Sequence, residues 1–163
     1  GKHEEAIEVN KELLERDKKD PSTWNNIGFD YAELEKFEDS IEYYDKSIEL
    51  EPKQKEAWQN KADALVELEK FDEALDCVNK SLEVDPDYID ALGTKSNILV
   101  YLEKFEESIE ISKKIIELDP EDYAGWGFLG IQYLLINNLE KSLESIEKSQ
   151  KLDLADEIIW YNK

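Results

Sequence analysis

Residues 55–88 read KEAWQNKADALVELEKFDEALDCVNKSLEVDPDY, and the fold turns on this stretch. Trp58 has counterparts at steps of 34 residues: Trp24, Leu92, Trp126 and Trp160. Phe37, Phe71, Phe105 and Leu139 keep the same step, as do Pro52, Pro86 and Pro120. Within the stretch, Trp58, Ala62, Leu65, Val66 and Leu68 fall on one helical face. Ala74, Leu75, Val78, Leu82 and Val84 make the apolar stripe of a second helix. A fixed period of this length with two helical patterns per unit is the signature of a helical solenoid, whose units bury surface only against their neighbours. The predicted fold class is all-α, a solenoid of antiparallel helix pairs.

Working outward, the period predicts one solenoid over residues 1–163. A partial unit covers 1–20, complete units cover 21–54, 55–88, 89–122 and 123–156, and a further unit begins at 157–163. Asp20 followed by Pro21 supplies an N-cap and a favoured first helical residue. Asp85-Pro86 stops the second helix of the model stretch, because proline keeps the residue before it out of the α region. Lys36, Lys70 and Lys104 are expected at the ends of first helices, where a cation complements the negative end of the macrodipole. Small residues recur in two rows, Gly28, Ala62, Ser96 and Gly130 on the first helices and Ser40, Ala74, Ser108 and Ser142 on the second. A large side chain in either row is expected to push a helix pair apart. Both ends fall inside units and the chain holds no Met, so a fragment of a longer repeat protein is expected.

Composition narrows the function classes. The net charge of −21 speaks against nucleic acid, whose phosphates need clustered Lys and Arg, and against anionic membrane surfaces for the same reason. It would steer a basic partner towards the surface, although the acids also read as simply solvating the outer helix faces. No apolar run approaches the roughly 20 residues of a membrane span, and no apolar signal region opens the chain, so a cytoplasmic location is expected. Cys77 is the only cysteine and reads as a small buried hydrophobe. His3 is also alone, at the register position of Phe37, Phe71 and Phe105, and reads as a packing substitute. Neither has partners at metal-ligand spacing, so no metal and no cofactor are expected.

With those residues in place, WQNKADALVELEKFDEALDCVNKSLEVDP resembles the tetratricopeptide repeat. The markers are Trp24, Gly28, Tyr31, Phe37, Ser40 and Pro52, then Trp58, Ala62, Leu65, Phe71, Ala74 and Pro86. Departures are local: Leu92 for Trp, Leu139 for Phe, and Lys18 and Leu154 for Pro. The resemblance implies a right-handed superhelix of antiparallel helix pairs, with first helices lining a concave groove that holds peptides or helices of partner proteins. Family members that clamp the acidic C-terminus of a chaperone place cations in successive first helices. Here those positions hold Asn25, Phe29, Asn60, Asp90 and Thr94, so a dicarboxylate clamp is not expected.

Residues lying between the packing positions of the first helices are the candidates for the groove: Asn25, Asn26 and Phe29, with Glu33; Glu56, Gln59, Asn60 and Asp63, with Glu67; Asp90, Asn97 and Tyr101; and Phe128 and Ile131. Asn26, Asn60 and Asn97 carry both donors and acceptors and suit an extended peptide backbone, although Asn26 and Asn60 also read as residues bonding neighbouring helices. Glu56, Asp63, Glu67 and Asp90 make the middle acidic, whereas Gly127, Phe128, Ile131, Leu134 and Leu135 make the fourth unit apolar on nearly every side. Gly125, Gly127 and Gly130 form no phosphate loop, since no strand precedes them and no Lys-Ser or Lys-Thr follows. No His, Cys or Ser is flanked by a base and an orienting group, so no catalytic residue is assigned. The expected function is a non-catalytic protein-interaction module for a basic or amphipathic segment. The alternative is an assembly element that self-associates through the apolar fourth unit or the exposed ends.

Overall fold

The computed structural model describes the backbone of residues 1–161 and the side chains of residues 1–153. Among the described residues the chain is nine helices and no strand: α1 (Lys2–Arg16), α2 (Pro21–Glu33), α3 (Phe37–Leu50), α4 (Lys55–Glu67), α5 (Phe71–Val84), α6 (Ile89–Tyr101), α7 (Phe105–Leu118), α8 (Tyr123–Leu135) and α9 (Leu139–Tyr161). First helices α2, α4, α6 and α8 thus begin at 34-residue steps, as the markers require. None of the described helices is long and apolar enough to cross a membrane.

Local chemistry sets the boundaries. The Asp20 carboxylate accepts from the amides of Ser22 and Thr23, filling two of the donors that a helix start leaves unpaired. Each first helix then ends in the same way. Glu35, Glu69, Glu103 and Asn137 adopt positive φ of 57–58°. Their amides, and those of Lys36, Lys70, Lys104 and Asn138, donate back to carbonyls of the last turn; Lys36 N reaches Tyr31 O at 3.0 Å and Glu35 N reaches Ala32 O at 2.8 Å. This is the left-handed helix ending normally given to glycine. It corrects the expectation for the lysines. Lys36, Lys70 and Lys104 stand as N-caps of α3, α5 and α7, past the ends of the first helices, because the left-handed residue turns the chain before they are reached.

The chain falls into two compact units, Gly1–Thr94 and Lys95–Lys163. In the first, Ile7, Leu14 and Ile27 are buried together with Trp24, Tyr31, Leu34 and Tyr43 packed against them. Of the positions the period assigns to core in residues 55–88, Ala62, Leu65, Ala74 and Val78 are buried at 2% exposure or less, Trp58, Val66, Leu68, Leu75 and Leu82 are half-buried, and Val84 at the end of α5 is exposed at 40%. In the second, Ile109, Ile116, Leu129 and Tyr133 form the core, with Trp126 and Ile136 against it. Cys77 is buried as expected, and burial pushes its thiol up to about 11. His3 does more than fill space: its Nδ1 lies 2.9 Å from a carboxylate oxygen of Asp30, which is 8% exposed and needs a polar partner. The loops at 51–54, 85–88 and 119–122 have no counterpart near Leu154, and α9 runs on to Tyr161 where no proline stops it. The further unit expected from residue 157 rests on Trp160, which lies outside the described side chains.

Candidate interaction surface

Many marker residues are taken out of contention by what they already do. The indole Nε1 of Trp24, Trp58 and Trp126 donates to the carbonyls of Lys18, Pro52 and Pro120, at 3.0, 2.9 and 3.1 Å. Each indole therefore fastens the loop before its own helix. The Lys18-for-proline departure leaves this bond intact, because the acceptor is main chain. Ser47, Ser81 and Ser149 form a further row that the sequence reading passed over. Their hydroxyls donate to the carbonyls of Pro21, Lys55 and Tyr123, the first residues of α2, α4 and α8, at 2.7–2.9 Å. The small-residue rows pack as expected. A Cβ built on Gly28 would stand 2.6 Å from the Tyr44 ring and 3.1 Å from the Ser40 carbonyl. One built on Gly130 would stand 2.6 Å from Ile146 and 3.3 Å from the Ser142 carbonyl.

In the first unit the candidates separate into bonded and open groups. Asn60 Nδ2 donates to Asn25 Oδ1 at 3.1 Å, tying α4 to α2, which favours the helix-bonding reading of Asn60. Gln59 is only 8% exposed and donates to Asp63 Oδ2, so it is not an open groove residue. Thr94 Oγ1 donates to Asp63 Oδ1 at 2.7 Å. Burial pushes the Asp63 carboxyl up to about 6; the bonds from Thr94 and Gln59 act the other way, and the negative charges of Asp90 and Glu67 add to the rise. Asn26, Glu56 and Asp90 are exposed, and Phe29 shows 47% of its surface.

Phe29, Asn60 and Asp63 come together at a cleft of about 260 Å³. Helix α2 contributes Phe29, Ala32 and Glu33; α4 contributes Asn60, Asp63, Ala64 and Glu67; Phe37 and Tyr44 of α3 complete it. The two α3 residues were missed in the sequence. Tyr44 reaches the cleft because Gly28 leaves room for its ring, and the signal was available as a large residue 16 positions after a glycine. Among the described residues, Glu33, Asp63 and Glu67 are not bridged by any cation; the ion pairs lie elsewhere, as with Lys55–Asp85 and Lys61–Asp45, both at 2.5 Å. No group of three or more His, Cys, Asp or Glu among the described residues is placed to hold a metal ion.

In the second unit, Asn97, Tyr101, Phe128 and Ile131 are all exposed, the last three by more than half. Leu134, Leu135, Leu139 and Leu143 join them at 47–62% exposure. The interior of this unit is polar at one point. The hydroxyls of Ser108 and Ser112 each lie 3.0 Å from Ser96 Oγ, and the Gln132 amide nitrogen donates to Ser96 and Ser108 at 2.8 Å. Gly127 is flanked by Ser149 Oγ, and nothing approaches within 4 Å of a Cβ on Gly93 in the first unit, so the glycines make no phosphate cradle.

Two family models of the tetratricopeptide repeat match the chain, over residues 20–87 and 89–122. No curated protein matches it in sequence. Solved structures do match in fold. MamA (41-end) from Desulfovibrio magneticus RS-1 superposes with a TM-score of 0.86 at 24% identity, covering 95% of this chain and 88% of that one. A crystal structure of MamA gives 0.83 at 19% identity, with 92% and 88% covered. A MamA structure from strain MSR-1 gives 0.78 at 20% identity, with 96% and 90% covered. At these identities the likeness speaks for the helical-solenoid fold alone.

Proposed function

Because the chain belongs to the tetratricopeptide repeat family, we propose that it is a non-catalytic interaction module that holds a basic or amphipathic segment of a partner protein along the exposed faces of its first helices. The observation that supports this most is the division of labour in the first unit. Marker side chains are spent on loops and helix pairs, while Phe29, Glu33, Glu56, Glu67 and Asp90 between them stay open to solvent. Apolar surface supplies affinity, and the carboxylates steer a cationic partner towards it. A titration with Lys/Arg-rich peptides, followed by calorimetry, tests this. Binding should weaken with added salt and be lost in a Phe29→Ala, Glu56→Gln, Asp90→Asn triple variant. Unchanged affinity in that variant, with its helical circular dichroism intact, overturns the proposal.

A second reading is self-association through the fourth repeat. It is favoured by the run of half-exposed apolar side chains on α8 and the start of α9, from Phe128 to Leu143. Light scattering over a concentration series decides it: a rising mass that falls back in an Ile131→Glu variant supports the reading, and a strict monomer at high concentration ends it.

A further inference from the structure

The cleft between α2 and α4 has a more definite chemistry than a general basic surface. The cleft measures about 260 Å³. That suits the head and stem of one long side chain and falls short of the roughly 300–1,000 Å³ of a small-molecule site. Its polar lining offers acceptors. Glu33, Asp63 and Glu67 are carboxylates, and Asn60 has its amide nitrogen engaged by Asn25, which leaves its oxygen to accept. A ligand must therefore bring several N–H donors and positive charge. The Phe29 ring borders the same cleft with about half its surface open, and Tyr44 closes the α3 side. An aromatic face beside carboxylates favours a flat cation over a compact one. Guanidinium stacks on the ring and presents five donors in a fixed fork, whereas ammonium is a strongly hydrated point charge with three.

We propose that this cleft takes the side chain of an arginine from the partner segment, with its plane against Phe29 and its N–H groups shared among Glu33, Asp63 and Glu67. The proposal rests on the reading of the chain as a binder of basic segments and names the side chain that anchors such a segment. Nothing in this chain competes for the place among the described residues, where none of the three carboxylates is already bridged by a lysine or arginine.

The test uses the whole chain and three short peptides that share a basic, amphipathic background and differ only at a central residue, which is Arg, Lys or Gln. Calorimetry at physiological ionic strength should show the Arg peptide binding about tenfold tighter than the Gln peptide and several-fold tighter than the Lys peptide, the range expected for a stacked, charge-assisted contact. Phe29→Ala and Glu67→Gln, both at exposed positions and so expected to fold, should each erase most of the Arg-over-Gln preference. Glu121→Gln, the same charge change on the exposed surface of the other unit, should leave the preference in place. Equal affinities of the Arg and Gln peptides, or a loss in Glu67→Gln that is the same for both, overturns the arginine pocket while the peptide-binding reading survives. If none of the three peptides binds, the basic-partner reading itself falls, and the pocket with it.

Discussion

Replacing Asp63 by Asn should make the protein more stable at neutral pH and less so, relative to the native chain, as the pH falls. The Asp63 carboxyl is raised from 3.8 to about 6, chiefly because burial penalises its charge. The sign follows from proton counting. Between these two values the folded state holds a proton that the unfolded state has released, so stability falls as the pH rises through that window. Above pH 6 the full penalty is present, and below 3.8 it is gone. At about 1.4 kcal/mol per pH unit, a rise of roughly two units corresponds to about 3 kcal/mol. Asparagine has the same shape and keeps an oxygen for the Thr94 hydroxyl; the Gln59 amide need only turn over to accept from the new Nδ2. Urea unfolding of both proteins at several pH values from 4 to 7.5 measures the difference, in which the titration of the other carboxylates cancels. The variant should lead by about 2–3 kcal/mol at pH 7, with the lead shrinking to near zero at pH 4. A lead that does not change with pH, or a variant weaker than the native chain at pH 7, refutes the claim that burial raises this carboxyl. The same variant should bind arginine peptides less well, since it gains stability by discarding a charge the cleft offers to its ligand.

Two further outcomes concern the backbone. Glu35, Glu69 and Glu103 sit at positive φ near 57°, where an L side chain costs about 1 kcal/mol and glycine does not. A triple Glu→Gly variant at these positions should therefore gain about 2 kcal/mol after the added freedom of its unfolded state is counted, seen as a rise in Tm of several degrees; a fall in Tm counts against the left-handed helix endings. Gly28→Ala and Gly93→Ala should have opposite signs despite identical chemistry. The first drives a methyl into the ring of Tyr44, itself 1% exposed, and should cost about 1–3 kcal/mol, whereas the second meets nothing within 4 Å and should gain up to about 1 kcal/mol. Denaturant midpoints read both, and a shared sign undermines the close-packed row.

The period made the helix pairs and their core legible because those depend on contacts within a unit or between adjacent units in register. The small-residue rows show this well. Gly28 faces Tyr44, Gly130 faces Ile146, Ser96 meets Ser112, and Ala62 and Val78, both fully buried, occupy the equivalent places. The size of one partner thus foretells the other at a separation of 16, a rule present in the sequence and only half used when the rows were read alone. The row of Ser47, Ser81 and Ser149 was equally visible, but its role required knowing which carbonyl lay opposite. The left-handed glutamates could not be read, since glycine is the usual signal and is missing. The burial of Asp63 was hidden for another reason. On its own helix it looks like one acid among several, and the helix pattern names neither the burial that raises it nor the Thr94 hydroxyl and Asp90 charge of the next first helix that act on it. Gln59 and Asn60 changed standing in the same way, through partners the helix pattern does not name.

What fastens the repeats together also explains why their exposed faces are free to differ. The indoles of Trp24, Trp58 and Trp126, and the hydroxyls of Ser47, Ser81 and Ser149, all donate to main-chain carbonyls. An acceptor supplied by the backbone is present whatever side chain stands there, which is how Lys18 can replace a proline with no loss of the bond from Trp24. Apolar packing is thereby confined to a small set of positions, and the residues between them are either bonded to the next first helix, as Asn60 and Asp63 are, or open to solvent. The outcome is visible in one chain: the same register that holds acids and an amide at Asn60, Asp63 and Glu67 holds Phe128, Ile131 and Leu135 in the fourth repeat, at comparable or greater exposure. On the proposed function, specificity then depends on which intervening residues cluster at a cleft. In the first unit that cluster pairs an open aromatic ring with three carboxylates unbridged by any cation, one of which, Asp63, also accepts from Thr94 of the next first helix.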